Sequence, residues 1–196
     1  MHPVITSLLD TDLYKFTMWQ ALLHRHPQTQ AEYEFVCRNQ PAYPLADLLD
    51  EVNAELDHLC QLRFTPGELD YLGGLRFIKS DFIDFLRIFQ FQRAFISASA
   101  EGEQLRIVAR GPQVHVMGFE IFVLAIVNEV YFRNQRAKPN VSLARQRLDT
   151  KMQQLRADGL QDLKIADYGT RRRFSKDWHE EVLRSLVAGL GTGHTG

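Results

Sequence analysis

The chain has 196 residues, 45% of them hydrophobic, 24% charged and 11% aromatic, with thirteen Phe. That composition excludes wholesale disorder, and a chain of this length can bury about 70% of its unfolded surface without disulfide or metal staples. Lys and Arg number 23 against 24 Asp and Glu, a net charge of −1, which argues against a dedicated nucleic-acid or membrane-surface protein. Two cysteines, Cys37 and Cys60, form neither a disulfide scaffold nor a CxxC pair. Met1-His2-Pro3-Val4 carries no signal-peptide pattern, and the apolar run 121–127 is far too short to span a bilayer, so a reducing cytoplasm is the expected setting. The seven His show no helical metal-site spacing, so no metal ligand set is expected.

Asp10 and Thr11 can cap a first helix running to about Arg25, with Leu9, Leu13 and Phe16 on one face. His24 and His26 flank its end, where cations suit the dipole, and Pro27 stops it. Residues 31–37 alternate as a strand with one wet face, and 45–62 are amphipathic and helical. Thr65, Pro66 and Glu68 spell a capping box, with Phe64 and Leu69 placed for a hydrophobic staple and Gly73-Gly74 as the stop. Ser80 opens a short apolar helix to Phe89. The period then changes. Residues 93–98 and 104–110 read as a hairpin about Glu101-Gly102, and Gly111-Pro112 turns into a third strand, 113–117. Residues 119–132 read as a helix buried nearly all round, so Glu120, Asn128 and Glu129 need partners. Lys138-Pro139-Asn140 breaks and recaps the chain. Val141, Ala144, Leu148, Met152 and Leu155 then form one helical stripe. A strand (163–167), a turn at Gly169 and a helix from about Arg172 to Val187 complete an α+β order that ends in a β/α unit.

The chemistry concentrates in Asp167-Tyr168-Gly169-Thr170-Arg171-Arg172-Arg173-Phe174-Ser175. A strand-to-helix turn is the usual ligand edge of α/β units. With Thr170 as N-cap, three arginines would occupy a first helical turn, where the dipole disfavours cations. A bound carboxylate or phosphate would compensate, held by free N–H groups and guanidinium forks. Gly169 allows close backbone approach and Tyr168 offers a flat ring face. The alternative is a solvated basic turn, partly offset by Asp177, Glu180 and Glu181. Two weaker spots also read structurally: residues 10–15 as a cap and surface helix, and Arg38 as a strand-end charge. Gly191-Thr192-Gly193-His194-Thr195-Gly196 has the GxGxxG spelling but follows a helix rather than a strand, so it is no dinucleotide fingerprint.

These residues resemble bacterial nicotinate phosphoribosyltransferase through nearly the whole chain. The resemblance rests on Ser7-Leu8-Leu9-Asp10-Thr11-Asp12-Leu13-Tyr14-Lys15 with Met18, on Glu34-Phe35-Val36-Cys37-Arg38-Asn39, on Phe82-Ile83-Asp84-Phe85-Leu86, on Gly111-Pro112, on 124–133 and on 167–175. It implies an α+β N-terminal domain packed on an irregular α/β barrel of the type II phosphoribosyltransferase kind. On that reading residues 1–137 are the first domain, and 138–196 are a helix and the first strand–helix unit of a truncated barrel. The implied reaction joins nicotinate to phosphoribosyl pyrophosphate, giving nicotinate mononucleotide and pyrophosphate in NAD salvage. ATP hydrolysis, with Mg, is coupled to it, and no cofactor is tightly bound. Homodimers are implied, one subunit's N-terminal domain completing the other's site.

By position, Tyr168 matches the aromatic that stacks on the pyridine ring, and Arg171 the arginine beside the ring and phosphoribosyl group. Tyr14 matches the tyrosine that faces the ring from the neighbouring subunit, and Arg38 an arginine that reaches phosphate from the same side. The family's Gly-Thr-Ser-Asn is here Gly191-Thr192-Gly193-His194. Its phosphorylated His, and with it the catalytic group, would fall after residue 196, as would most of the barrel. The resemblance therefore implies an incomplete, inactive fragment that self-associates. The alternative is a non-catalytic binding module or subunit partner retaining the N-terminal domain. Neither nucleic acid nor membrane is an expected partner.

Overall fold

A computed structural model describes residues 2–39, 42–136, 140–159 and 164–191. Leu163, Lys138, Pro139, Gly193 and His194, which figure in the expectations above, lie outside those residues.

Helix α1 (Leu13–Arg25) follows an N-terminal segment whose Val4, Ile5 and Leu8 are all buried. Its N-cap is Asp12, two residues later than Asp10, and Asp12 makes no side-chain cap bond; its carboxylate faces Arg171 instead. The buried face is Lys15, Phe16 and Trp19, whereas Leu13 is 46% exposed, so the face read from Leu9, Leu13 and Phe16 is rotated. His24 sits at the helix end as expected, 2.9 Å from Asp81.

Strand β1 (Gln30–Phe35) alternates exposed and half-buried side chains. Helix α2 (Leu49–Leu59) comes next after a 3₁₀ turn, Ala46–Leu48. In α3 (Pro66–Gly73) the Thr65–Glu68 capping box forms as the spelling requires, and Phe64 and Leu69 are both buried. Helix α4 (Ser80–Ile88) presents Phe82, Ile83 and Leu86 to the core.

The hairpin forms, shifted at its start. Residues Arg93–Phe95 make a 3₁₀ turn, and strand β2 is Ile96–Glu101. The reason is Arg93, whose guanidinium reaches Asp57 at 2.6 Å, Asn53 at 2.7 Å and the Ile96 carbonyl. Strand β3 (Gln104–Pro112) is central in an antiparallel sheet of order β1-β3-β2, with Tyr33 opposite Ala109 and Ile96 opposite the same Ala109. Gly102, at φ +61°, supplies the left-handed turn residue.

The third strand expected at 113–117 is instead a single helical turn, α5 (Gln113–Val116). The Gln113 N–H bonds to the Thr29 carbonyl at 2.7 Å, and Trp19 Nε1 donates to the Val114 carbonyl at 2.6 Å. Those bonds pull the chain off the sheet. Val114, Val116 and Met117 are all buried, which an edge strand with a wet face could not achieve.

Helix α6 (Phe119–Asn134) runs through the middle and buries eight apolar side chains, Phe119 to Val130. The stretch Gln113–Asn134 is long and apolar enough to cross a membrane, but 67% of its window is buried inside the protein, as befits a core helix. An aromatic cluster closes on its start: Phe91 packs on Phe119 (4.5 Å between centroids), Phe122, Phe89 and Trp19. Phe91 also lies where a Cβ on Gly118 would sit, 2.6 Å from its ring, so glycine is required there.

Helix α7 (Val141–Ala157) carries its expected stripe at partial burial only: Val141, Ala144, Leu148 and Leu155 are half-buried and Met152 is buried. Residues 164–169 form no extended strand; only Ile165 makes a lone bridge. Helix α8 (Lys176–Leu190) ends the described chain. The α+β domain is therefore present, and no barrel sheet occurs among the described residues.

Candidate functional site

The segment 167–175 is held from three directions. Thr170–Arg172 form one 3₁₀ turn and Ser175, not Thr170, caps α8, accepting from the Trp178 N–H. The first helical turn is thus Lys176, Asp177 and Trp178, and the three arginines precede it. The expectation that they crowd a helix N-terminus is corrected, and with it the dipole argument for an anion there. Arg173 explains the break. Its side chain is 1% exposed, Nη1 lies 2.7 Å from Asp10, Nη2 donates to the Val4 carbonyl at 2.9 Å, and Nε lies 3.3 Å from Glu129. Pinned in this way, it adopts an extended backbone (ψ 145°) that cannot continue a helix.

The polar side chains of α6 find partners in this segment, in α1 and at the start of α8. Glu120 pairs with Lys15 and lies 3.7 Å from Arg171. Asn128 donates to the Arg171 carbonyl at 3.1 Å. Glu129 accepts from Arg173 and from the Lys176 N–H. Burial pushes the Glu129 carboxyl above the ordinary range, more than Arg173 and Arg133 pull it down. Burial likewise raises Asp12, against the opposing pull of Arg171 and Lys15.

Tyr14, Tyr168 and Arg171 come together. The two tyrosine rings lie 6.4 Å apart and tilted by 58°, within one chain, whereas the resemblance draws Tyr14 from a neighbouring subunit. Arg171 reaches Asp12, two residues before Tyr14, at 3.4 Å. Arg38 stands apart from the rings, exposed beyond the end of β1. It shares with Arg171 and Arg172 a cavity of about 770 Å³ between the sheet and α6. Its apolar floor includes Phe35, Ile107, Phe119 and Val123. Arg171 therefore belongs to both features, the ring pair and the arginine-edged cavity.

The sequence gives Lys15 and His179 no role in the site, and it does not announce that Asp167 pairs with His179. Lys15 has no local signal of burial, being a lysine at a helix start. His179 Nε2 lies 2.6 Å from Asp167 Oδ1, a contact across twelve positions that no spacing rule announces. Among the described residues no group of three His, Cys, Asp or Glu side chains is arranged to hold a metal.

An α+β domain that sets an aromatic pair and an arginine beside an arginine-edged cavity has the makings of a site for a flat ring and an anion. The nicotinate phosphoribosyltransferase (NAPRTase) N-terminal domain matches residues 9–128. The chain is 55% identical to nicotinate phosphoribosyltransferase of Herminiimonas arsenicoxydans, over all of this chain and 51% of that protein. It is 58% identical to the Verminephrobacter eiseniae protein of the same name, over 97% of this chain and 47% of the other. The crystal structure of the Vibrio cholerae enzyme superposes with a TM-score of 0.89 at 33% identity, covering 98% of this chain and 46% of that one. The chain belongs to the nicotinate phosphoribosyltransferase family. It spans about half the length of the curated relatives it matches.

Proposed function

We propose that this chain provides the N-terminal, ring-and-anion-holding part of a nicotinate phosphoribosyltransferase. The reaction would convert nicotinate and phosphoribosyl pyrophosphate to nicotinate mononucleotide and pyrophosphate in NAD salvage, with ATP hydrolysis coupled. The observation that carries the reading is Arg171, which joins the Tyr14–Tyr168 pair to the cavity edged by Arg38. A ring stacked on both faces needs about 7 Å, twice the ~3.5 Å carbon contact distance. Two rings at 6.4 Å, one of them 58% exposed, need only turn parallel and part slightly. Arg171 would meet the carboxylate or the phosphoribosyl group, and Arg38 a phosphate. Asp12 and Glu120 hold the Arg171 guanidinium in place before the ligand arrives.

ATP and Mg belong to the proposed whole reaction, and no step is assigned to them through the described residues. These 196 residues alone are proposed to bind without turnover. The division at 137/138 is part of the same reading, supported by a main hydrophobic cluster that draws no residue from α7 or α8. Self-association or a homodimer belongs to the same proposal, and two free thiols suit a cytoplasmic setting.

Calorimetric titration of the chain with nicotinate and with phosphoribosyl pyrophosphate tests the reading. Arg171→Ala should weaken binding by about 1.5–3 kcal/mol, the usual loss for a hydrogen bond to a charged group. Unaltered affinity for both ligands, or steady ATP-dependent nicotinate mononucleotide synthesis by the chain alone, would overturn it.

A further inference from the structure

We infer that His179 is a positioning residue for Tyr168, acting through Asp167 and the backbone of Gly169; this deepens the functional reading above and rests on it for the ligand concerned. Asp167 Oδ1 accepts two hydrogen bonds. One comes from the Gly169 N–H at 2.8 Å and the other from His179 Nε2 at 2.6 Å. A carboxylate only accepts, so Nε2 carries the hydrogen. The Asp167 bond to the amide two residues on closes a turn around Tyr168, the residue between them. His179, in the second turn of α8 and only 13% exposed, fixes the carboxylate that closes it.

Gly169 shows how tightly these groups are fitted. A Cβ there would lie 2.9 Å from Asp167 Oδ1 and 3.0 Å from His179 Nε2. The backbone of the loop lies directly against the pair, and glycine is the residue that permits it. Tyr168 itself is 58% exposed, and its ring faces Tyr14 at 6.4 Å. Little packing holds that ring, so its direction is set by the backbone beneath it. Among the described residues the ionisable groups facing Asp167 are His179 and, more distantly, Asp12. Helix α8 is thereby linked to the ring face of the site, and an arrangement of this kind limits the loop motion that ligand binding must otherwise arrest.

The test has two readouts in the 196-residue chain. The first, amide hydrogen exchange at Gly169 by NMR, needs no ligand. His179→Leu should speed that exchange about tenfold, the effect of losing one hydrogen bond's support. His179→Gln, which keeps an N–H donor, should stay within about twofold of the parent. The second readout is nicotinate affinity, which should fall about tenfold in His179→Leu and recover in His179→Gln. Unchanged Gly169 exchange in a folded His179→Leu overturns the inference, and so does equal weakening by Leu and Gln. Where the Leu variant fails to fold, His179→Ala, which also removes the donor, carries the same prediction for Gly169 exchange and the same overturning result. A parent chain that binds no nicotinate refutes the functional reading, while the exchange measurement still decides the coupling of His179 to the loop.

Discussion

Two regions of this molecule are held together by different physics. Residues 2–136 bury a continuous apolar cluster in which Phe82, Phe91, Phe119, Phe122, Leu56, Leu72 and Leu86 are essentially inaccessible. Among the described residues of 140–191 only Met152, Arg173 and Leu190 are buried. Helix α7, seventeen residues long, buries one side chain. What attaches this second region is largely polar: Arg173 to Asp10, Glu129 and the Val4 carbonyl, Asn128 to the Arg171 carbonyl, and Lys176 to Thr6, with two ring contacts beside them, Phe132–Phe174 and Tyr14–Tyr168. Its two helices meet through Arg145 and Glu181, and through Met152 against Gly189. Apolar burial is non-directional and forgiving, whereas buried ion pairs bind only in one geometry. The candidate site lies on the seam between the two regions, where precise placement counts for most.

The largest effect should come from the apolar side. Phe91→Ala removes a ring packed on Trp19, Phe89, Phe119 and Phe122, and should lower stability by about 3–5 kcal/mol in urea denaturation. The same truncation at half-buried Leu148 of α7 should cost under about 1 kcal/mol. Equal losses at the two positions would erase the contrast.

Next comes the seam. Arg173→Ala leaves Asp10 and Glu129 without their principal cation, and should cost about 3 kcal/mol. The damage should be local. Proteolysis should cut 164–191 sooner, while exchange protection of α6 and β3 remains. Loss of protection throughout 2–136 would show that the seam is part of the core.

The smallest effect is a matter of sign. Burial holds the Glu129 carboxyl above its ordinary 4.5. The folded protein therefore keeps that proton more tightly than the unfolded chain. Its contribution to stability is full below the ordinary value and declines as pH rises through the raised one. Glu129→Gln cannot titrate, so its stability relative to the parent should rise as pH increases above the ordinary 4.5. A relative fall over that interval would mean that Arg173 and Arg133 outweigh desolvation.

Elements with local signals were legible. The Thr65–Glu68 capping box, the Gly102 hairpin and the stripe of α7 follow from contacts within a few positions, and all three form. Glu120, Asn128 and Glu129 announced a need for partners by being polar on an apolar helix, without saying which partners. The misread places share a different cause. The turn at Arg93–Phe95, the helical turn at Gln113–Val116 and the late start of α8 are each imposed by side chains or backbone groups distant in sequence. Such bonds override a period-two pattern only a few residues long.

By itself, the amino-acid order determined the α+β character, most helix limits in the first region, and the tyrosine and three arginines gathered at 167–175. It also carried the family resemblance. Tertiary structure alone decided that Asp12 serves Arg171 across 159 positions and Asp10 serves Arg173 across 163. It also placed Tyr14 against Tyr168 within one chain and His179 behind Asp167. The physical reason is range. Helix caps and hydrophobic periods act over one or two turns, but a buried charge takes whichever opposite charge the packed core brings within about 4 Å.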